Sequence, residues 1–262
     1  MATPVPDPVA SSIGAGTARV RFGQTGSMDG IEVVVFDWYA TLGAPNDEDF
    51  WPRIPELIER AGGVVDAGAV REWESEHPAL HEEQSASEAT YRQWQRDRLE
   101  HLLLRCGLGE PGRGGLLDHI DDQRYSRSFA VFDGVPDVLR ELRRRDLRLG
   151  VCSNWDWGLD RHLQANGIAE LLDFVVCSAE VGRRKPHPTI FELVLGHAGV
   201  DPDRILFVGD NWTEDVGGAT AAGMRTIHVA TATSCAMAGD HSSVPCIAEL
   251  AELLTVVGPV RA

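Results

Sequence analysis

The stretch that decides the fold is residues 31–42, which read IEVVVFDWYATL. The continuous apolar, β-branched run over residues 31–36 predicts a strand that is buried on both faces, as in a parallel sheet. Asp37 follows this strand directly. Because open α/β sheets bind their ligands at the carboxyl ends of the strands, Asp37 is a candidate functional residue.

Three further polar residues follow strand-like runs in the same way: Ser153, Lys185 and Asp210. The runs that precede them are residues 149–152, 174–177 and 205–209. Since the carboxyl ends of parallel strands share one edge of a sheet, we expect these side chains to lie close to Asp37. Two carboxylates, a hydroxyl and an ammonium suit nucleophilic attack on an anion with a divalent metal present.

Strand-like runs alternate with helical segments from about residue 131 to the end of the chain. This alternation predicts an α/β fold with a doubly wound parallel sheet and right-handed crossovers. Residues 247–257 are predicted to form a terminal helix. Residues 43–47, which read GAPND, are predicted to interrupt regular structure.

A helical block interrupts this alternation after the first strand. Within residues 47–130, apolar side chains such as Tyr91, Trp94 and Leu102 recur at helical spacing, and no convincing strand is present. We predict a core domain of residues 31–46 and 131–262, with a small all-α domain of residues 47–130 inserted after the first strand. Residues 1–30 lack the features of a signal peptide and are predicted to form a flexible tail.

Composition narrows the classes of function. The net charge of -16 argues against nucleic acid as a partner, because no basic stripe offsets the repulsion from phosphates. No apolar run approaches the roughly 20 residues that span a bilayer, so no membrane partner is expected. Cys152 and Cys177 lie in strand-like runs and are predicted to be buried free thiols, which fits a cytoplasmic protein. The oligomeric state stays open.

The order of these motifs resembles that of the haloacid dehalogenase superfamily. Its phosphatases carry Asp-x-Asp-x-Thr, then Ser or Thr, then Lys, then Gly-Asp with a further acid. The matching positions here run from about residue 31 to the C-terminus: Asp37, Thr41, Ser153, Lys185, Asp210 and Asp215. The resemblance implies a Rossmann-like core and makes residues 47–130 a helical cap of the first type, which closes over the active-site edge.

The resemblance also implies roles at the metal side of the site. Asp37 would attack phosphorus and form an aspartyl-phosphate. Asp37, Asp210 and the backbone carbonyl of Tyr39 would bind Mg²⁺, which prefers hard oxygen ligands. Asp215 would serve as an outer ligand of the metal or would orient Lys185, and the adjacent Glu214 could share that role.

The remaining motif residues would hold a small anionic substrate. Ser153 would donate a hydrogen bond to a phosphoryl oxygen, and Lys185 would pair with the transferred group and with Asp37. Asn154 is a supporting residue of the same loop. Thr41 would hold Asp37 or the backbone of its loop in place.

Tyr39 departs from the phosphatase pattern, because it stands where these enzymes carry their general acid/base. L-2-haloacid dehalogenases have Asp-x-Tyr-Gly-Thr at this motif and attack carbon without a metal, so a 2-haloacid dehalogenase is the alternative function. Asp210 favours the phosphatase, since a second carboxylate beside Asp37 requires a cation between them. A protein that binds phosphorylated ligands without catalysis is a third interpretation.

Overall fold

The first predicted strand lies inside a six-stranded sheet in the computed structural model, which describes residues 28–46, 53–75, 82–126, 128–229 and 244–258. The described strands are β1 (Val33–Phe36), β2 (Gly43–Pro45), β3 (Phe129–Val131), β4 (Arg148–Ser153), β5 (Phe174–Cys177), β6 (Ile205–Gly209), β7 (Arg225–Val229) and β8 (Cys246–Ile247). The six-stranded sheet has the order β5-β4-β1-β6-β7-β8, and each neighbouring pair is parallel. The predicted parallel α/β fold is therefore confirmed.

Helices follow the strands along the described chain. They are α1 (Ile54–Arg60), α2 (Ala67–Ser75), α3 (Glu88–Arg105), α4 (Gly112–Ser126), α5 (Val135–Arg144), α6 (Leu159–Ala165), α7 (Ser178–Val181), α8 (Pro188–Ala198), α9 (Gly218–Ala221) and α10 (Leu253–Val256). No helix among the described residues is both long and apolar enough to cross a membrane.

Strand β1 is buried on both faces, as its sequence predicts. Val34 and Phe36 belong to one apolar cluster, whereas the other two valines of the strand belong to a second cluster. Helix α5 packs into the first cluster and α8 into the second. Because helices cover both faces, the sheet is doubly wound.

The predicted helical insertion is present between β2 and β3, where helices α1 to α4 follow one another. They share an apolar cluster of their own, which includes Ile58, Leu99, Leu103 and Ile120. Ser87 caps helix α3, since its hydroxyl accepts a hydrogen bond from the Thr90 amide at 3.1 Å. This separate cluster makes the insertion a small helical layer with its own interior.

The predicted break at residues 43–47 and the prediction of a strandless insertion up to residue 130 are both wrong in part. Strands β2 and β3 pair antiparallel and form a separate two-stranded sheet. A Cβ on Gly43 would lie 2.5 Å from the carbonyl oxygen of Ala130, so the close pairing requires glycine there. Strands of three residues leave no periodicity, and their partners are distant in the sequence.

The chain between residues 246 and 257 is not one continuous helix. Strand β8 is followed by a 3₁₀ turn, Leu250–Glu252, and then by the short helix α10. The side chains of Glu249 and Glu252 cap the turn reciprocally, which starts the helical segment only after Glu249.

The cysteine prediction holds, whereas the predicted tail of residues 1–30 extends too far by at least Met28. Cys152 and Cys177 are buried and free, as predicted. Met28 packs into the first apolar cluster, so ordered chain is present before Ile31. The rest of the predicted tail, residues 1–27, lies outside the described residues.

Candidate active site

The predicted polar residues meet at the carboxyl edge of the sheet. Asp37 follows β1, Ser153 ends β4, and Asp210 follows β6. Lys185 reaches the same edge from the loop between α7 and α8. A cavity of about 280 Å³ opens there, lined by Asp37, Tyr39, Ser153, Asn154, Trp155, Arg184, Lys185, Asp210, Asn211, Glu214 and Asp215.

Lys185 is the central cation of this edge. Its Nζ lies 2.6 Å from Asp37 Oδ1 and 2.5 Å from Asp215 Oδ1, and it donates to the carbonyl oxygen of Cys152 at 2.9 Å. Burial alone would lower the pKa of Lys185, but the charges of Asp215 and Asp37 outweigh burial and raise it. The ammonium therefore stays charged and holds the two carboxylates on either side of it.

Asp215 is buried and fully engaged within the protein. Its Oδ1 accepts from Lys185, and its Oδ2 accepts from the amide of Asn211 at 3.0 Å. A Cβ on Gly209 would lie 2.4 Å from this Oδ2, so only glycine at the end of β6 leaves room for the carboxylate. Asp215 thus pairs with Lys185, and its role in orienting that cation stays a prediction.

Asp210 differs from Asp215 because it is only partly buried and forms no ion pair with a described residue. Thr41 is buried, and its hydroxyl donates to Asp210 Oδ1 at 3.4 Å, so its side chain contacts Asp210 and does not line the cavity. Burial, together with the negative charge of Asp37, raises the pKa of Asp210 to about 6. The site therefore carries negative charge that Lys185 does not neutralise.

These carboxylates fit a divalent cation. Asp37, Asp210 and Asp215 each offer an oxygen atom, and the three atoms lie within 4.8 Å of one another. Hard oxygen donors of this kind suit Mg²⁺, which usually takes one or two carboxylates and keeps several waters. Because both oxygens of Asp215 already have partners, Asp37 and Asp210 are the better placed ligands.

Asn154 joins two loops of the site. Its Oδ1 accepts from the amide of Lys185 at 2.7 Å, and its Nδ2 donates to the carbonyl oxygen of Lys185 at 3.0 Å. The same Nδ2 donates to Glu214 Oε2 at 2.9 Å. Asn154 therefore fixes the backbone that carries Lys185, in addition to lining the cavity.

Tyr39 lines the cavity, and 38% of its surface is exposed. Its ring packs edge-on against Phe129 of strand β3, with the ring centroids 6.3 Å apart. The next residue, Ala40, has a φ of 60°, and its amide donates to the carbonyl oxygen of Gly43 at 2.8 Å. The phenol is thus placed beside the two-stranded sheet at the cavity mouth.

The lining also includes Trp155 and Arg184, which the sequence analysis does not name as site residues. Each is the neighbour of a predicted site residue, Asn154 in one case and Lys185 in the other. Adjacency was the sole signal for them, since no spacing distinguishes a loop side chain that enters a cavity from one that faces solvent.

Comparison with known families agrees with this geometry. Residues 31–223 match the haloacid dehalogenase-like hydrolases. The match covers most of the chain, which therefore belongs to this family. The resemblance that the motifs imply is confirmed.

Two curated relatives are similar in sequence. Haloacid dehalogenase-like hydrolase domain-containing protein 3 of Homo sapiens is 42% identical over 145 residues, which are 53% of this chain and 57% of that protein. Glyceraldehyde 3-phosphate phosphatase of Methanothermobacter thermautotrophicus is 34% identical over 176 residues, which are 63% of this chain and 73% of that protein. The chain thus spans little more than half the length of the human relative.

A solved structure shows the same fold. The 2-haloacid dehalogenase from Pseudomonas syringae pv. Tomato DC3000 superimposes with a TM-score of 0.59 at 24% identity, and the match covers 87% of this chain and 98% of that chain. At this identity the similarity concerns architecture, so the choice of reaction depends on the residues of the site.

Proposed function

We propose that this enzyme is a Mg²⁺-dependent phosphatase of a small phosphorylated metabolite and acts through an aspartyl-phosphate. The observation that carries the proposal is Asp210, a carboxylate beside Asp37 that forms no ion pair with a described residue. A second uncompensated acid is unfavourable unless a cation binds between the two. The glyceraldehyde 3-phosphate phosphatase named above supports this class of reaction.

The reaction would proceed in two displacements. A carboxylate oxygen of Asp37 attacks phosphorus, and the bond between phosphorus and the ester oxygen breaks. The departing alkoxide takes a proton from solvent or from the Tyr39 hydroxyl, which lines the cavity. Water then attacks the phosphorus of the aspartyl-phosphate, and the bond between phosphorus and the Asp37 oxygen breaks. The proton of this water passes to solvent, or back to Tyr39 where Tyr39 was the donor, so that inorganic phosphate leaves and Asp37 is restored.

Other residues of the site hold the transferred group. Ser153 donates to a phosphoryl oxygen, while Lys185 offsets its charge and keeps Asp37 aimed at the cavity. Bound Mg²⁺, held by Asp37, Asp210 and the backbone carbonyl of Tyr39, would stabilise the negative charge on the phosphoryl group. We further propose that the cap of residues 47–130 excludes water from the core of residues 31–46 and 131–262.

The test is release of phosphate and halide by purified protein, measured with Mg²⁺ and again with excess EDTA. We expect phosphate release that requires both Mg²⁺ and Asp37, with Asp37→Asn as the inactive control. Halide release that persists in EDTA would instead support the 2-haloacid dehalogenase, for which Tyr39 is the motivating residue. Binding of phosphate esters without turnover would support the non-catalytic alternative.

A further inference from the structure

Arg184 is a cation on the cavity wall that the proposed chemistry does not use. It lines the cavity next to Lys185 and is partly buried. Across the described parts of the chain, its guanidinium has no hydrogen bond or ion pair. Its neighbour Arg183 differs, because it donates to the carbonyl oxygen of Gly182 at 2.8 Å and lies 3.8 Å from Glu82 of the insertion.

The carboxylates that line the cavity are not partners of the Arg184 guanidinium. Asp37 and Asp215 share Lys185, Glu214 accepts from Asn154, and Asp210 accepts from Thr41. None of these carboxylates forms an ion pair with Arg184. A partly buried charge without a partner is unfavourable, and an incoming anion would relieve that penalty.

The shape of the guanidinium indicates which kinds of anion Arg184 can bind. Its planar fork of N–H donors matches the two oxygens of a carboxylate or of a phosphate. The transferred phosphoryl group already has Ser153 and Lys185 as partners. Arg184 is therefore available for a different anionic group of the same molecule.

The size of the cavity limits what connects the two anions. Ligand cavities commonly span roughly 300–1,000 Å³, and this one, at about 280 Å³, is at the small end. Trp155 supplies an apolar wall to the same space. A skeleton of a few carbon atoms would fit between the phosphoryl position and Arg184.

We propose that the substrate is a small phosphate monoester with a second anionic group, a carboxylate or another phosphate, and that Arg184 binds this group. The proposal rests on the proposed function, since it assumes that a phosphoryl group occupies the cavity beside Asp37. It assigns Arg184 a role in specificity that is separate from the chemical step.

Binding is measured with Mg²⁺ in the Asp37→Asn background, so that esters are not consumed. Three probes share a two-carbon skeleton: 2-phosphoglycolate, ethylene glycol bisphosphate and 2-hydroxyethyl phosphate, which has no second anion. We expect at least one of the first two probes to bind about 10- to 100-fold more tightly than the third, the effect of one charge-assisted contact. The probe that binds more tightly of these two shows whether the second anionic group is a carboxylate or a phosphate.

Two variants on the same loop then separate contact from general charge. Arg184→Gln should reduce the preference for a probe with a second anion to about threefold or less. Arg183→Gln, which removes the same charge at the adjacent position, should retain this preference. Arg184→Lys keeps the charge without the fork, and its preference should be intermediate. Circular dichroism of each variant verifies folding.

Several outcomes would overturn the proposal: no preference in the parent, a preference that survives in Arg184→Gln, an equal loss in Arg183→Gln, or no binding of any probe. These results are independent of turnover. A wild-type protein that releases no phosphate would overturn the proposed function. The binding preference measured in the Asp37→Asn background would still test the role of Arg184.

Discussion

A buried ionic group of the core and an exposed ion pair of the cap differ in how far they depend on their partners. In the core, Lys185 is buried between Asp37 and Asp215. In the cap, Arg105 pairs with Glu72 at the surface, where both side chains are substantially exposed. A buried charge has lost its water and depends on its partners, whereas an exposed charge keeps its hydration. The buried group of Lys185, Asp37 and Asp215 therefore constrains its own members, while the exposed pair of Arg105 and Glu72 contributes little to stability.

The largest effect is expected from a variant that removes the cation of the buried group formed by Lys185, Asp37 and Asp215. Replacing Lys185 with Met leaves Asp37 and Asp215 without their cation, and we expect the free energy of unfolding to fall by about 3–5 kcal/mol. The matched change in the cap, Arg105→Met, should leave it nearly unchanged, because Arg105 and Glu72 are both exposed. Urea unfolding at pH 7.5 without Mg²⁺ measures both, and equal losses would contradict the comparison.

The next effect concerns the acid that Lys185 does not neutralise. The pKa of Asp210 is raised from 3.8 to about 6, so between these values the native protein holds a proton that the unfolded chain has released. Stability therefore falls as the pH rises through this window. In EDTA at pH 7.5, Asp210→Asn should be more stable than wild type by about 1–3 kcal/mol.

Two controls for this prediction repeat the stability measurement at low pH and with Mg²⁺. Well below pH 3.8 the difference between wild type and Asp210→Asn should disappear, because Asp210 is then protonated in both the native and the unfolded state. With saturating Mg²⁺ at pH 7.5 the order should reverse, since a ligand that binds the native state stabilises it. An Asp210→Asn protein that is less stable in EDTA at pH 7.5 would argue against an uncompensated acid.

A smaller effect is expected where the cap meets the core. The Tyr91 hydroxyl of α3 donates to Asp156 Oδ1 at 2.5 Å and accepts from Gln95 Nε2 at 2.7 Å. Tyr91→Phe should lower the free energy of unfolding by about 1–2 kcal/mol. Tyr125→Phe is the matched control, because the buried Tyr125 hydroxyl has no hydrogen-bond partner in the described structure. It should be neutral or stabilising, and an equal loss in both variants would exclude a specific contact.

The smallest expected effect lies in the loop of Asp37. Ala40 has a φ of 60°, which is unfavourable for a residue with a Cβ. Ala40→Gly should raise the free energy of unfolding by about 0.5–1 kcal/mol, as measured by thermal melting. Ala165→Gly, at an exposed position in helix α6, should lower it by a similar amount. The opposite signs distinguish backbone strain from the general flexibility of glycine.

The centre of the fold could be predicted because its signals are local. The apolar run of β1 is continuous, and Asp37, Ser153 and Asp210 stand where strands end. Any residue at the end of a parallel strand shares one edge with its neighbours, so their convergence follows from topology. Lys185 was assigned through its place after a strand-like run, although the short helix α7 separates it from β5.

Other features depend on contacts between distant parts of the chain. The pairing of β2 with β3 joins segments on either side of the helical insertion. The direction of the Tyr39 ring depends on Phe129 in that pair, and the exposure of Arg184 to the cavity depends on how its loop folds. Such orientations have no period in the sequence, which is why Arg184 was not predicted.

The two-stranded sheet determines how the helical insertion is joined to the core. The chain leaves the core through β2 and returns through β3, and these strands lie side by side. A turn of a few residues joining Pro45 to Phe129 would therefore bridge neighbouring chain ends without stretching the core. This junction therefore accommodates insertions of quite different length and shape without moving the carboxyl edge of the sheet.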